Sequence, residues 1–377
     1  MKTSSAWASG ITSRRQPVRS NGAHRPRFCF RVARIFPSRR VVRSALRVFD
    51  CRSRFRAKAL RRFCPLLTVL LTACAGQTPA ISPDIVHAGA HSGGSVVRFS
   101  QGGELLASGG WEGSVIIWRP SGGGPLYRWQ AHRDSVNGLA FTDHDRHVVT
   151  AGYDGLLAEW TLGGSALRRM MTPSPITSMA ASACGGRLIS GHADGTVRIW
   201  RLEDLRLLDE RTPHTGMVRA VACDEVNGRY ASSGADGKVK VWRGGEEAQL
   251  LSRPATDAWS LAFSPDGRRL YGGGWFRLFR WDLQDGALAS LPTDHHGIIK
   301  SIQFTADGGE LATISRQTDS AVLFLDPLTG GVTRRFQRHE LCGASIAVSP
   351  GDRYLATTSD DASVRVWVLR KTEPDHP

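Results

Sequence analysis

Seven segments of the chain end in the same alternation of apolar and polar residues: GGWEGSVIIW, AGYDGLLAEW, GHADGTVRIW, SGADGKVKVW, GGWFRLFRW, RQTDSAVLFL and TSDDASVRVW. Their closing positions are Trp118, Trp160, Trp200, Trp242, Trp281, Leu325 and Trp367, spaced 42, 40, 42, 39, 44 and 42 residues apart. Six of the 11 tryptophans fall on this register, so the pattern is a repeat and not an accident of composition. Inside each period a run such as VNGLAF or SLAFS alternates in the manner of a strand, and a turn such as SPDG follows. Two more strands of the LLASGG and TVRIW types are then joined by a tight Asp-Gly turn. Gly155, Gly195 and Gly237 each follow the turn aspartate, where a left-handed backbone costs glycine least. Stretches such as PLYRWQ and RLLDER supply a fourth, outer strand.

A four-stranded unit repeated seven times predicts an all-β, single closed seven-bladed β-propeller over residues 81–370, with antiparallel strands a to d in each blade. The seventh unit stops after strand c, at Trp367 to Leu369, and Ile81 to His87 is the spare extended segment that can supply its outer strand. Closure of the ring by this N-terminal strand leaves no long unpaired edge.

These repeats resemble WD40 repeats across residues 81–370. The resemblance implies a hydrogen-bonded set in each blade: His before strand a, Ser or Thr on strand b, Asp in the b–c turn and Trp on strand c. The second blade matches with His132, Thr150, Asp154 and Trp160, the fourth with His214, Ser232, Asp236 and Trp242, and the seventh with His339, Thr357, Asp361 and Trp367. The first has His91, Ser108 and Trp118 with Glu112 in place of Asp, and the third has Ser190, Asp194 and Trp200 without the His. The fifth keeps Trp281 alone, with Trp275 at its turn position, and the sixth has Leu325 for Trp. These four blades are expected to rely more on packing, with the fifth the least regular.

The resemblance also implies that partners bind the face carrying the d–a and b–c loops, around the central channel. Residues just before the turn aspartate and at the start of strand a point there. Among them Trp111, Tyr153, Met217, Trp275 and Ile298 are the candidates for a partner-binding surface, since aromatic and large apolar groups are enriched at interface hot spots. The bland alternative is that Trp111 or Trp275 folds over its own blade.

Net charge is +15, which would suggest nucleic acid as a partner if it were spread over the propeller. It is not. Residues 1–73 hold 18 Lys and Arg against one acid, Asp50, while Cys74 onward holds 31 basic against 33 acidic residues. A domain so near neutrality lacks the clustered cations that release counterions from a phosphate backbone, and nucleic-acid binding is excluded. Residues 1–55 form a basic, unstructured leader: either a disordered arm or sequence upstream of a mis-assigned translation start.

Residues 56–73 read as a signal peptide. Lys58, Arg61 and Arg62 precede a short apolar run from Phe63 to Leu71, too short to span a bilayer. Leu71-Thr72-Ala73-Cys74 resembles a bacterial lipobox, which implies acylation of Cys74 and a membrane anchor. Ala75 after the cysteine implies sorting to the outer membrane, facing the periplasm. Residues 74–80 are then a linker and 371–377 a disordered tail; a cytoplasmic location is the alternative if Cys74 is not acylated.

Catalytic motifs are weak. Strings such as SGGGP and GGGW lack the Lys-Ser/Thr of a phosphate loop. Asp294-His295-His296 lacks metal-ligand spacing, and His295 or His296 is better explained as the sixth blade's structural histidine. Neither a cofactor nor a metal is expected. Cys184, Cys223 and Cys342 are an odd set in different blades and no disulfide framework, with Cys223 read as a buried free thiol. The expected function is a non-catalytic protein-interaction scaffold, monomeric and lipid-anchored at the envelope. A small-molecule-binding or lactonase-like propeller is the rival.

Overall fold

The computed structural model describes residues 79–181, 185–224, 226–244, 246 and 248–370. The leader, the signal peptide, Cys74 and the tail 371–377 lie outside the described residues. Twenty-eight strands form seven four-stranded antiparallel sheets, with one 3-10 turn at Pro350–Asp352 and no α-helix among the described residues. The innermost strands a run Gly94–Phe99, Val136–Thr142, Ile176–Ala180, Val218–Asp224, Ser260–Phe263, Ile298–Phe304 and Gly343–Val348. In the first blade strands b and c, Leu106–Gly110 and Ser114–Trp118, are buried along their whole length. The outer strand Ala166–Met171 of the second blade is exposed along all of its length. Middle strands packed on both faces by neighbouring blades explain why apolar residues fill both sides of b and c, while strand d tolerates Arg and Met.

Closure occurs as the missing outer strand predicts. Ile85–His87 pairs antiparallel with Val364–Val368, matching Ile85 to Val366 and His87 to Val364. Ile81 forms a parallel bridge to Phe336 in the sixth blade and accepts a bond from the Trp367 indole N–H at 3.0 Å. One short segment therefore ties two blades together.

The hydrogen-bonded sets are distributed differently from the sequence expectation. In the second blade His132 Nδ1 donates to Asp154 at 3.0 Å, Thr150 lies 2.7 Å from Nε2, and the Trp160 indole donates to Thr150 at 2.9 Å. The first blade makes the same relay with a longer carboxylate: Glu112 meets His91 Nδ1 at 2.8 Å, and Ser108 joins His91 to Trp118 at 2.9 Å on each side. The third blade recruits His192 from the end of its own strand b; Nε2 lies 2.9 Å from Ser190, Nδ1 donates to the Ser174 carbonyl at 3.1 Å, and Trp200 donates to Ser190 at 2.9 Å. The expectation that these two blades depart from the pattern is thus corrected, because Glu112 and His192 reach the same atoms from other positions.

Two blades expected to be complete are not. In the fourth, His214 bonds Asp236 at 3.0 Å and Ser232 at 2.8 Å, but the buried Trp242 indole N–H has no partner among the described residues. In the seventh, His339 bonds Asp361 at 2.9 Å and Thr357 at 2.7 Å, while Trp367 is drawn off to Ile81. The sixth blade uses His295, 2.8 Å from Thr313. In the fifth, Gly272 replaces the Ser or Thr; a Cβ there would stand 2.9 Å from the Trp281 ring, and Trp281 donates to the Ser252 carbonyl at 2.8 Å. Burial alone would raise the pKa of Asp154, Asp236 and Asp361, yet bonds from the histidines and backbone N–H groups hold them below the ordinary carboxylate value.

Cys223 and Cys342 are both disulfide-bonded, which corrects the free-thiol reading of Cys223.

Candidate functional site

The site is built from a recurring irregularity. In six blades the ladder between strands a and b slips by one residue near the start of strand a, as between Gly94 and Val96 or between Ile299 and Ser301. A slipped residue has no cross-strand partner and is turned out of the ladder. The slipped residues are Ser95, Asn137, Thr177, Arg219, Lys300 and Ala344, and Trp259 stands just ahead of strand a in the fifth blade. Their contacts run from blade to blade around the axis. Ser95 donates to Asn137 at 3.4 Å, Asn137 to the Ile176 carbonyl at 2.8 Å, and Thr177 to the Val218 carbonyl at 2.7 Å.

From the fourth blade onward this ring becomes charged and aromatic. The Arg219 guanidinium lies 3.7 Å from the centre of the Trp259 ring and pairs with Asp257 at 2.8 Å. Lys300 approaches the same ring, its ammonium 5.8 Å from the centroid. Arg316 pairs with Asp360 at 2.9 Å and sits 5.8 Å from the Trp111 ring. An arc of three cations and two indoles thus crosses the mouth of the channel from blade four, through five, six and seven, to blade one. Burial, with the Arg316 and Arg219 charges adding to it, pulls Lys300 down to about 8. Burial pushes Asp360 up to about 6, against the attraction of Arg316.

Of the five residues proposed for a partner surface, the arc takes in one. Trp111 is 38% exposed and lies over Gly93, whose Cβ position is 2.9 Å from the ring; it rests on its own blade and faces solvent at once. Tyr153 and Met217 are half-buried on blades two and four. Trp275 is half-buried and stacks edge-on against Phe276 at 5.5 Å. Ile298 is 2% exposed, bridged to Trp275, and cannot present a surface; the correction follows from its place inside the slipped ladder of blade six. Phe276, absent from the sequence reading, is 48% exposed and has a left-handed backbone with φ of 61°.

Sequence reasoning also missed Arg219, Trp259, Lys300 and Arg316. A usable signal existed for two of them: Arg219 and Lys300 each stand five residues after a structural histidine, His214 and His295, as Asn137 does after His132.

The opposite end of the channel holds a cavity of about 570 Å³, lined by Phe99, Phe141, Phe263 and Phe304, with Arg98 and Gln303 among its polar groups. Among the described residues no cluster of three or more His, Cys, Asp or Glu is placed to hold a metal ion.

Comparison with known proteins matches the WD40 family (WD domain, G-beta repeat) at residues 86–119, 123–161, 165–201, 206–243 and 330–368. The unmatched stretch between the last two covers the fifth blade and most of the sixth, where the hydrogen-bonded set has lost Ser/Thr or Trp. The chain is 26% identical over 253 residues to Autophagy-related protein 16 of Arabidopsis thaliana, covering 65% of this chain and 49% of that protein. It is 24% identical over 310 residues to human Striatin-4, covering 65% and 37%, and 27% identical over 312 residues to human WD repeat-containing protein 90, covering 74% and 18%. The chain therefore spans less than half the length of these relatives.

Proposed function

Taking the chain as a carrier of WD40 repeats, we propose that it is a non-catalytic scaffold for protein partners, held at a bacterial cell envelope by lipid on Cys74. One observation carries the scaffold reading: two large aromatics, Trp111 and Phe276, stand exposed on the face that bears the b–c turns. Phe276 keeps an unfavourable left-handed backbone to do so, and such strain concentrates where a site needs it. Aromatic anchors beside a polar rim are the usual composition of a protein interface. In vivo photo-crosslinking from this rim, compared between the natural chain and Trp111→Ala with Phe276→Ala, tests the reading. Loss of discrete crosslinked partners with stability changed by no more than about 1 kcal/mol is the expected outcome. Undiminished crosslinking would overturn it.

The anchor reading rests on Leu71-Thr72-Ala73-Cys74 behind a basic and then apolar stretch. Ala75 favours the outer membrane, periplasmic side. Cys74→Ala should abolish incorporation of labelled palmitate and release the protein from sedimented membranes; retention in the membrane fraction would remove the anchor from the proposal.

A further inference from the structure

Among the described residues, Lys300 is the cation of the three in the arc that lacks a counterion. Arg219 has Asp257 at 2.8 Å and Arg316 has Asp360 at 2.9 Å, each a carboxylate beside a guanidinium. Among the described residues Lys300 has no hydrogen bond and no ion pair; it meets the face of Trp259 and lies within reach of two like charges. Two further donors beside it are buried and, among the described residues, unpartnered: the Trp259 indole N–H and Arg219 Nε–H. Lys300 is half-buried, so its ammonium gives up part of its water at a cost that no anion among the described residues offsets. A hydrophobic residue at the slipped position would pack without that cost, as Ala344 does in the seventh blade.

We propose that the mouth formed by Lys300, Arg219, Trp259 and Arg316 receives a carboxylate of the docking partner, an Asp or Glu side chain or a chain terminus. The inference rests on the scaffold reading above and adds the chemistry of what is docked. A carboxylate fits better than a phosphate on charge. With both arginines already paired, the unbalanced charge is the single positive one of Lys300, which one carboxylate neutralises and a phosphate dianion would overshoot. Geometry agrees, since the same two guanidiniums already hold carboxylates at 2.8 and 2.9 Å. The Trp259 face keeps the ammonium in place, and a carboxylate entering from the axis would take donors from Lys300 and the indole edge.

The test is residue-resolved acylation of lysines in the full chain, read by peptide mass spectrometry, because the basic leader would attract any acidic probe and mask a bulk affinity. Acetylated tetraglutamate should slow acylation of Lys300 at least fivefold while leaving Lys238, exposed in the b–c turn of blade four, within twofold of its rate without peptide. Tetraglutamine should protect neither. Equal protection of Lys238, no protection of Lys300, or protection of Lys300 by inorganic phosphate as strong as that by tetraglutamate would each overturn the carboxylate assignment. A second variant separates this inference from the reading beneath it. Lys300→Met should keep or raise the melting temperature and lose the partner crosslinks that Trp111→Ala with Phe276→Ala also loses. Crosslinks retained in Lys300→Met but lost in the aromatic pair would sink the carboxylate site and leave the docking face standing.

Discussion

The third blade should be the point at which acid loosens the ring. In the first, second, fourth and seventh blades the structural imidazole donates Nδ1–H to a carboxylate, but His192 donates to the Ser174 carbonyl instead. The bonds around it fix a neutral ring: Trp200 donates to Ser190, and the Ser190 hydroxyl is left to donate to Nε2. Protonating Nε2 removes that acceptor. Burial accordingly pulls His192 down from 6.5 to about 4. The sign follows directly. Below pH 6.5 the unfolded chain takes up a proton that the folded chain refuses until about pH 4, so the contribution is whole above 6.5 and falls away toward 4. At about 1.36 kcal/mol per unit, the drop from pH 7.5 to 4.5 is roughly 2–3 kcal/mol.

His192→Gln removes the titration and, at pH 7.5, costs about 1–2 kcal/mol in lost hydrogen bonds. Urea unfolding followed by far-ultraviolet circular dichroism at pH 7.5, 5.5 and 4.5 should therefore show the natural protein's lead vanish near pH 5.5 and His192→Gln become the more stable by pH 4.5. Burial also depresses His214 and His339, but equally in both proteins, so their effect cancels in the difference. Stability profiles that stay parallel across the three pH values would refute the reasoning.

Trp367→Phe, which keeps the packing but removes the indole N–H that reaches Ile81, should cost about 1 kcal/mol in urea unfolding, and deletion of residues 81–88 should unfold or oligomerise the propeller in size-exclusion chromatography. Gly195→Ala should cost about 3 kcal/mol by thermal melting, since the turn stands at φ +87° and a Cβ would run into the His214 carbonyl. Gly89→Ala, at φ +65° with open space around it, should cost only about 1 kcal/mol, so the difference isolates the collision. Maleimide should modify Cys223 and Cys342 only after reduction, and reduction should lower the melting temperature; labelling of either thiol in the unreduced, unfolded protein would contradict the bonded state.

The seven blades were legible because each buries one large apolar side chain at the same place on strand c, and the spacing of six tryptophans and Leu325 fixes both period and number. Closure was legible from the strand lacking in the last unit. The relays were less so. Reading them as fixed positions missed that Glu112 can reach where an aspartate would, and that His192 can enter the relay from strand b. The same habit counted Trp367 as a bond to Thr357, when the closing strand offers a competing acceptor in Ile81. The candidate site was harder still. The eye goes to aromatic loop residues, and that found Trp111 but wrongly added Ile298. Arg219, Trp259 and Lys300 look unexceptional inside apolar runs, and only the slip in the a–b ladder turns two of them toward the axis.

The seam between Ile85–His87 and Val364–Val368 has a temporal meaning as well as an architectural one. Its partners are separated by nearly the whole length of the propeller, and long loops make such contacts late and slow. Six blades can pair their own strands as the chain emerges, but the seventh waits for its final residues and then reaches back for a strand made first. Until that moment both the early strand and its later partner are open edges, available to each other or to another copy. The last lock can close only after everything between the two strands has been made.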